Sequence, residues 1–345
     1  MKKSLIALAV ASAFVAPVAM ADVTVYGQAN ASFGSVNDGS NSVMKVSSDT
    51  SRLGFKGSED LGGGTSAVWQ IESGIALDGG ASTLADRNTY VGLSNANMGT
   101  ILAGKHDTPY KIATRGLDVF GDNIADNRNI MGAANGGGAA FDGRNANTIA
   151  YISPAMNNVT VAAAYVALNE SNSTAVPTNS AVSLAAMYAA GAINAAAAYE
   201  SHTLDTTGVN KKESAFKIGG GYTMDQFAIN AVYEKTTDSG MTKHDHSALY
   251  LAGKYNVSAT DAVKLAYTNA GKIGGAANTE ATQISVGYDH AMSKRTTVYA
   301  LYTTVANKSS ASYGLSTNST GGFANGTITT DKDPNAFVVG MKHSF

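Results

Sequence analysis

Charged side chains of opposite sign lie in two groups that could set up an electric field across a narrow passage. Asp118, Asp122 and Asp126 follow one another within a single long segment. Arg52 and Lys56 share one parity of a segment whose other parity is largely apolar. Carboxylates facing cations across a passage would orient polar solutes and disfavour apolar ones. These residues therefore suggest a passage that selects solutes by electrostatic interactions.

No group of side chains has the spacing of a catalytic or metal site. The chain has no cysteine, and it has no Gly-x-Ser-x-Gly nucleophile elbow. The six histidines are scattered, and His244 with His246 on one predicted loop would give a metal only two ligands. The glycine run 136–138 lacks the lysine and hydroxyl residue of a phosphate-binding loop. We therefore expect no enzymatic activity, no cofactor and no metal.

The first 21 residues have the composition of a cleaved secretory signal peptide. Lys2 and Lys3 precede an apolar run over 5–18, and Ala19-Met20-Ala21 supplies small residues for a peptidase. The run is shorter than the roughly 20 residues that a membrane-spanning helix needs. Removing the two lysines leaves 22 basic against 26 acidic residues, a formal charge of −4 instead of −2, which argues against nucleic acid as a partner. We expect one mature domain, 22–345.

A period of two along the mature chain predicts β-strands. The segment 22–34 sets Val23, Val25 and Phe33 on one face and Thr24 and Gln28 on the other. Later rows are aliphatic in the middle and end in tyrosine, as 216–222, 227–233, 249–255 and 284–288 do. Aromatic residues at strand ends are typical of the girdles of membrane barrels. The mean hydropathy of −0.06 fits such a barrel, because wet and lipid-facing residues cancel in the average.

The connections between these segments alternate between short and long. Seven short and eight long connections imply sixteen strands with both termini on the short-turn side. This predicts an all-β fold, a 16-stranded antiparallel transmembrane β-barrel with short periplasmic turns and long extracellular loops, which leaves no backbone group unpaired in lipid. The short connections fall near 59–64, 95–99, 154–158, 189–192, 223–226, 256–260 and 290–294. The long ones fall near 35–50, 77–85, 107–145, 167–179, 201–212, 237–246, 270–279 and 306–333.

Two other structural interpretations stay open at this point. A secreted β-sandwich would also alternate, although it would not require tyrosines at strand ends or an aromatic last residue. The alanine-rich stretch 181–199 has high helix propensity. However, Val182, Leu184 and Tyr188 keep a strict alternation that Gly191 interrupts, so a hairpin explains more.

Seven sequence segments, in order along the mature chain, resemble the general porins of Gram-negative outer membranes, in the neisserial, Bordetella and marine gamma-proteobacterial branch. The segments are VTVYG at 23–27, SRLGFKGSEDLG at 51–62, AVWQIE at 67–72, RNTYVGL at 87–93, NTIAYISP at 147–154, SKRT at 293–296 and VGMKHSF at 339–345. The resemblance implies a trimeric, water-filled channel in the cell outer membrane for passive diffusion of small hydrophilic solutes and ions.

A barrel of this width must be narrowed if the membrane is to remain a sieve. We expect the longest connection, 107–145, to fold into the lumen as the third long loop. There it would present its three aspartates, 118, 122 and 126, to a facing basic wall. The parity of the first two wall residues supports their inward direction, whereas the placement of the last two depends on the family resemblance. The predicted wall consists of Arg52, Lys56, Arg87 and Lys105.

The expected partners are those of an outer-membrane channel. They are two further copies of the chain in a homotrimer, outer-membrane lipid and lipopolysaccharide, and a barrel-assembly machinery that would recognise the terminal Phe345. A substrate-specific channel, or a surface adhesin or phage receptor on the same barrel, remains the alternative function. The preference for cations or anions is left open.

Overall fold

The computed structural model describes residues 22–132, 141–169, 179–206, 209–238, 245–315 and 328–345. The predicted signal peptide at 1–21, the glycine run 136–138 and His244 lie outside these residues. No helix among them is long and apolar enough to cross a membrane.

The described chain consists of antiparallel strands with little helix. The strands of the first half are β1 Asp22–Asn37, β2 Ser42–Ser48, β3 Arg52–Asp60, β4 Thr65–Gly74, β5 Thr89–Asn95, β6 Gly99–Asp107, β7 Arg144–Ile152, β8 Val159–Ala167 and β9 Ser180–Ala190. Those of the second half are β10 Ile193–Thr206, β11 Val209–Met224, β12 Phe227–Asp238, β13 His246–Asn256, β14 Asp261–Ala270, β15 Ala281–Ala291, β16 Thr296–Asn307 and β17 Asn335–Ser344. The helices are α1, Pro109–Arg115, and a 3₁₀ turn, Asn127–Asn129.

The sheet closes on itself as a barrel of sixteen wall positions. Each strand pairs with its sequence neighbour, and β17 returns to pair with β1, from Gln28 opposite Ser344 to Asn37 opposite Asn335. Both β2 and β3 pair with β1, so these two segments are one wall strand interrupted at 49–51. Thr50 takes a positive φ of 56° at this interruption. The predicted 16-stranded barrel is confirmed, and a sandwich is excluded because the sheet has no free edge.

Adjacent side chains in the wall face opposite surroundings. Phe216 and Ile218 on β11 are about half exposed on the outer surface, whereas Lys217 between them is 2% exposed and faces inward. The outer surface therefore carries an apolar belt that suits lipid, and the polar and charged side chains turn into the lumen. The predicted division of the two parities into a lipid face and a wet face is confirmed.

The alanine-rich stretch is a hairpin, as the alternation predicted. Ser180–Ala190 and Ile193–Thr206 pair from Ile193 opposite Ala190 to Thr203 opposite Ser180. Gly191 forms the turn with a positive φ of 55°, which a glycine adopts without strain. The helix interpretation of this stretch was wrong because the side-chain period, rather than alanine propensity, decides the structure in a closed sheet.

Two predicted long loops were wrong in their extent. The segment 201–212 is mostly strand, since β10 and β11 stay paired out to Thr206 opposite Val209. Likewise 35–50 contains the end of β1 and all of β2, joined by a turn at 38–41. The remaining short and long connections alternate as predicted.

Candidate functional site

The third long connection, 108–143, lies inside the barrel in its described parts. It begins with α1, where Pro109 occupies the first turn and the Thr108 side chain accepts a hydrogen bond from the Lys111 N–H as an N-cap. The N–H of Tyr110 donates to Ser183 Oγ at 2.9 Å, and Ser183 is a fully buried residue of the inner wall. The predicted inward folding of this loop agrees with these contacts.

Both limbs of the loop are bound to the same glutamate of β12. The Tyr110 hydroxyl donates to Glu234 Oε2 at 2.7 Å, and the Gly132 N–H donates to Glu234 Oε1 at 2.8 Å. Lys217 of β11 lies 2.6 Å from Asp142 and 3.4 Å from Glu234, so it joins the wall to the returning limb. These charged groups are buried and partnered, as buried charges must be.

The tip of the loop reaches the opposite strands of the wall. Four hydrogen bonds hold it there, and each joins a wall side chain to the loop backbone. They are Asn230 to the Leu117 carbonyl at 2.8 Å, the Val119 N–H to the Tyr250 hydroxyl at 3.0 Å, Gln283 to the Ala125 carbonyl at 3.1 Å and Asn30 to the Asp122 carbonyl at 3.0 Å. The loop therefore crosses the lumen from β12 and β13 to β15 and β1.

An apolar layer fills the space between the loop and the wall. Phe120 is fully buried, and its ring lies 4.8 Å from the Lys264 ammonium of β14. Burying side chains of this size contributes about 2 kcal/mol each, so the layer helps to fix the loop in one position. The loop residues of this layer are Leu117, Phe120, Ile124, Ile130 and Met131, and the wall contributes Val232, Leu301 and Val338 among others.

The guanidinium of Arg115, at the end of α1, contacts all three loop aspartates. Its guanidinium lies 3.5 Å from Asp118 and 3.2 Å from Asp122, and it forms a very short contact with Asp126. The side chains of Asp118 and Asp126 are 0% exposed, whereas that of Asp122 is 29% exposed. Only Asp122 is therefore open to the passage, and the structure does not bring the other two carboxylates to the basic wall.

The pKa values of the two buried aspartates shift in opposite directions. It raises the pKa of Asp118 above its usual range, and the Tyr250 hydroxyl donates to this carboxylate at 2.9 Å. Burial opposes ionisation of Asp126 too, but the guanidiniums of Arg115 and Arg128 hold the pKa of Asp126 below its usual range. Asp126 also accepts a hydrogen bond from the Arg128 N–H as the cap of the 3₁₀ turn.

Of the predicted basic wall, Arg52 meets the loop. Its guanidinium lies 3.1 Å from Asp122, so this predicted pair is in direct contact instead of facing across an open passage. Arg87 is directed to Glu72 of β4, at 2.5 Å, and the Tyr26 hydroxyl donates to the same glutamate.

Two predicted wall residues, Lys56 and Lys105, form no ion pair with the acidic loop in the part of the chain that the structure describes. Lys56 is exposed and its ammonium lies 5.3 Å from the Tyr26 ring centroid. Lys105 lies at a β-bulge, where the register shifts between Gly104 and His106. Neither lysine forms an ion pair among the described residues, and their predicted opposition to the loop aspartates stays a prediction.

Further charged residues belong to this site and were missed in the sequence. Asp107, at the end of β6, pairs with Lys111 at 2.8 Å and with Arg144 at 3.1 Å. Burial lowers the pKa of Lys111 to about 8, against the opposing effect of Asp107. The i,i+4 spacing of Asp107 and Lys111 and the i,i+3 spacing of Arg115 and Asp118 were available signals.

The charges that remain accessible in this region are biased towards positive. Arg52 and Arg115 each keep 24% of their side-chain area exposed, Arg144 keeps 18% and Arg87 keeps 15%. Among the acidic residues Asp122 keeps 29% and Asp107 keeps 15%, while the other two loop aspartates have none. No cluster of three or more metal-ligating side chains occurs within the described ranges. His246 is buried, with its Nδ1 2.7 Å from the Thr236 hydroxyl.

A closed antiparallel barrel with an apolar outer belt and a polar lumen crossed by a loop defines an outer-membrane channel. Residues 7–311 match the family described as Gram-negative porin, and the chain belongs to that family. Porins are channels for passive diffusion and are not enzymes, so the predicted function class, the outer-membrane location and the absence of catalysis are confirmed.

Two curated relatives and two solved structures illustrate the similarity. The major outer membrane protein P.IB of Neisseria gonorrhoeae is 43% identical over 120 residues, which cover 32% of this chain and 34% of that protein. The outer membrane porin protein 32 of Delftia acidovorans is 28% identical over 100% of both chains. The anion-selective porin from Comamonas acidovorans superimposes with a TM-score of 0.84 at 24% identity, over 94% of this chain and 100% of that one. A trimer form of OmpT from Vibrio cholerae gives a TM-score of 0.68 at 17% identity, over 94% and 99%.

Proposed function

We propose that this porin is an anion-preferring diffusion channel whose narrowest part lies beside the loop 108–143, where Arg52 and Arg87 line the wall. Small hydrophilic solutes and ions would pass beside the loop, since its apolar layer closes the side against β12–β17. The predicted constriction residues remain assigned to it, with Asp122 as the loop carboxylate that meets solutes and Lys56 and Lys105 as outlying cations of the wall.

This proposal rests on the excess of positive over negative charge among the accessible side chains. Asp118 and Asp126 are fully buried against Arg115 and so contribute little to the potential that a solute meets. The guanidiniums of Arg52, Arg115 and Arg144 keep part of their surface in the lumen. A low-dielectric wall focuses the field of such cations into the water, which raises the local concentration of anions. The relative from Comamonas acidovorans is named as anion-selective, which supports the same preference.

The zero-current potential in a potassium chloride gradient tests the ion preference. We expect the purified channel in planar bilayers to favour chloride, and Arg52→Gln to reduce this preference. Lys235→Gln is the matched control, because Lys235 is an exposed residue on the outer parity of β12 and should leave the potential unchanged. A wild-type channel that favours potassium would refute the proposal.

The partners expected from the family are part of the same proposal. We propose a homotrimer, which the trimer form of the OmpT relative supports. Phe345 would serve the barrel-assembly machinery, and lipopolysaccharide would surround the outer belt. Phe345 pairs through its backbone with Gly27, at 3.0 and 3.1 Å, and its ring is about half exposed at the barrel rim. Gel electrophoresis without heating tests the assembly, since a folded trimer should migrate far above the monomer.

A further inference from the structure

Three lysines outside the loop site lie on the inner wall near its short-turn end. Lys254 is two residues from the end of β13, Lys264 is the fourth residue of β14, and Lys342 is two residues from the end of β17. Each alternates with outward-facing side chains, such as Met341 beside Lys342, so all three turn towards the lumen. Because short turns of such barrels are periplasmic, the three lysines lie at the periplasmic exit.

The sheet register places two of these lysines directly opposite each other. Lys254 and Lys264 are Cα partners in the β13–β14 ladder, and like charges in that position destabilise a sheet. Lys342 lies on the inner face of β17, which β15 and β16 separate from β14 in the sheet. Three ammonium groups thus face the lumen at the same end of this part of the wall.

A single carboxylate compensates this group. Asp289 of β15 lies 2.9 Å from the Lys264 ammonium. Lys254 and Lys342 form no ion pair with any residue in the described ranges, and both keep contact with the lumen water. The excess of two positive charges thus has no ion-pair partner in the described part of the barrel wall.

We propose that Lys254, Lys264 and Lys342 form a binding site for a small multivalent oxyanion, such as inorganic phosphate, at the periplasmic exit. The site deepens the proposed anion preference and rests on it. An ammonium group has three donors that rotate freely, so a set of them adapts to the tetrahedral arrangement of phosphate oxygens. Lys254 and Lys342 are open to water, whereas the Lys264 side chain is only 10% exposed. The site lacks a rigid cage, which makes binding weak enough for release, as conduction requires.

The Phe120 ring gives this site a defined boundary. It lies against the Lys264 ammonium at 4.8 Å, and a side chain at Gly287 would meet the ring at 2.7 Å. The tip of the crossing loop therefore forms the ceiling of the site. An anion that leaves the guanidiniums of the constriction meets the lysines next, so the two positions act in series.

Inhibition of the chloride current by phosphate tests the site. Inorganic phosphate is added to the periplasmic side of single channels at constant ionic strength. We expect a saturable reduction of chloride conductance in the wild type. Lys254→Gln and Lys342→Gln should each raise the half-inhibiting concentration about tenfold, because one unit charge at close range contributes roughly that much. Lys254→Arg should retain the inhibition.

Lys294→Gln is the matched control, since Lys294 is exposed on the short turn 292–295 outside the lumen. Inhibition that is absent in the wild type, unaffected by both lysine variants, or equally weakened by Lys294→Gln would overturn the site. The proposed anion preference fails separately, through a zero-current potential that favours potassium. A chloride-preferring channel without phosphate inhibition would remove the site alone.

Discussion

Replacing Arg115 by glutamine should loosen the crossing loop without opening the barrel. Among the described residues, Arg115 is the one side chain that contacts Asp118, Asp122 and Asp126 together. In Arg115→Gln, two fully buried carboxylates lose a cationic partner while the rest of their surroundings stays the same. The strand ladders are not touched, so the energetic cost falls on the docking of the loop against the wall.

The expected magnitude follows from the burial of the carboxylates. Removing one partner of a buried ion pair costs about 3–5 kcal/mol, because the remaining charge is left without compensation. At 1.4 kcal/mol per tenfold change, the fraction of channels with an undocked loop should rise by about two to three and a half orders of magnitude. Burial has already raised the pKa of Asp118, so protonation of this carboxyl will relieve part of the cost.

Single-channel recording should show this change as added current noise and frequent conductance steps. Unheated gel migration checks that the barrel has folded. The double variant that combines Arg115→Gln with Asp126→Asn should recover quiet currents, since it also removes one stranded charge. Lys235→Gln, on the outer parity of β12, serves as a control that leaves the ion pairs of the loop in place. Currents of Arg115→Gln that are as quiet as those of the wild type would refute the reasoning.

Two further predictions concern pH and barrel closure. The chloride preference should weaken as pH rises from 7 to 9, because Lys111, with a pKa of about 8, loses its positive charge; Lys111→Gln should flatten this part of the zero-current potential profile. A preference that is constant over this range in the wild type would show that the Lys111 charge does not influence the ions in the lumen. Gly27→Val should prevent closure, because its Cβ would lie 2.4 Å from the Phe345 ring, whereas Gly253→Val has room. The heat-dependent gel shift measures barrel closure in both glycine variants. A normal shift for Gly27→Val would show that the contact between Gly27 and Phe345 is dispensable.

The strands could be predicted because consecutive wall residues face two different surroundings, lipid outside the barrel and water inside it. Phe216 and Lys217 are neighbours with opposite surroundings, and this contrast is written into the sequence as a period of two. The same reasoning failed for 201–212 and 35–50, where paired strands continue. Beyond the membrane both faces of a strand meet water, so the alternation fades although the backbone ladder persists.

The site was less predictable because its contacts join distant parts of the chain. Parity gave the direction of Arg52, and the idea of a loop inside a barrel set the loop aspartates opposite it, but its direct contact with Asp122 was not predicted. The burial of the other two aspartates depends on Arg115, a residue that no alternation marks. The contact of Lys217 with Asp142 spans 75 residues and leaves no local pattern at all.

The contacts that hold the crossing loop determine the order in which the barrel and the docked loop can form. The loop connects β6 to β7, yet most of the side chains that hold it come from strands far downstream, with Gln283 contacting Ala125 across 158 residues. Its docking must therefore await the carboxy-terminal half of the barrel. A newly closed barrel is wide before it is selective, and a substitution on β12 or β15 can make an outer membrane leaky without altering any residue along the solute's route.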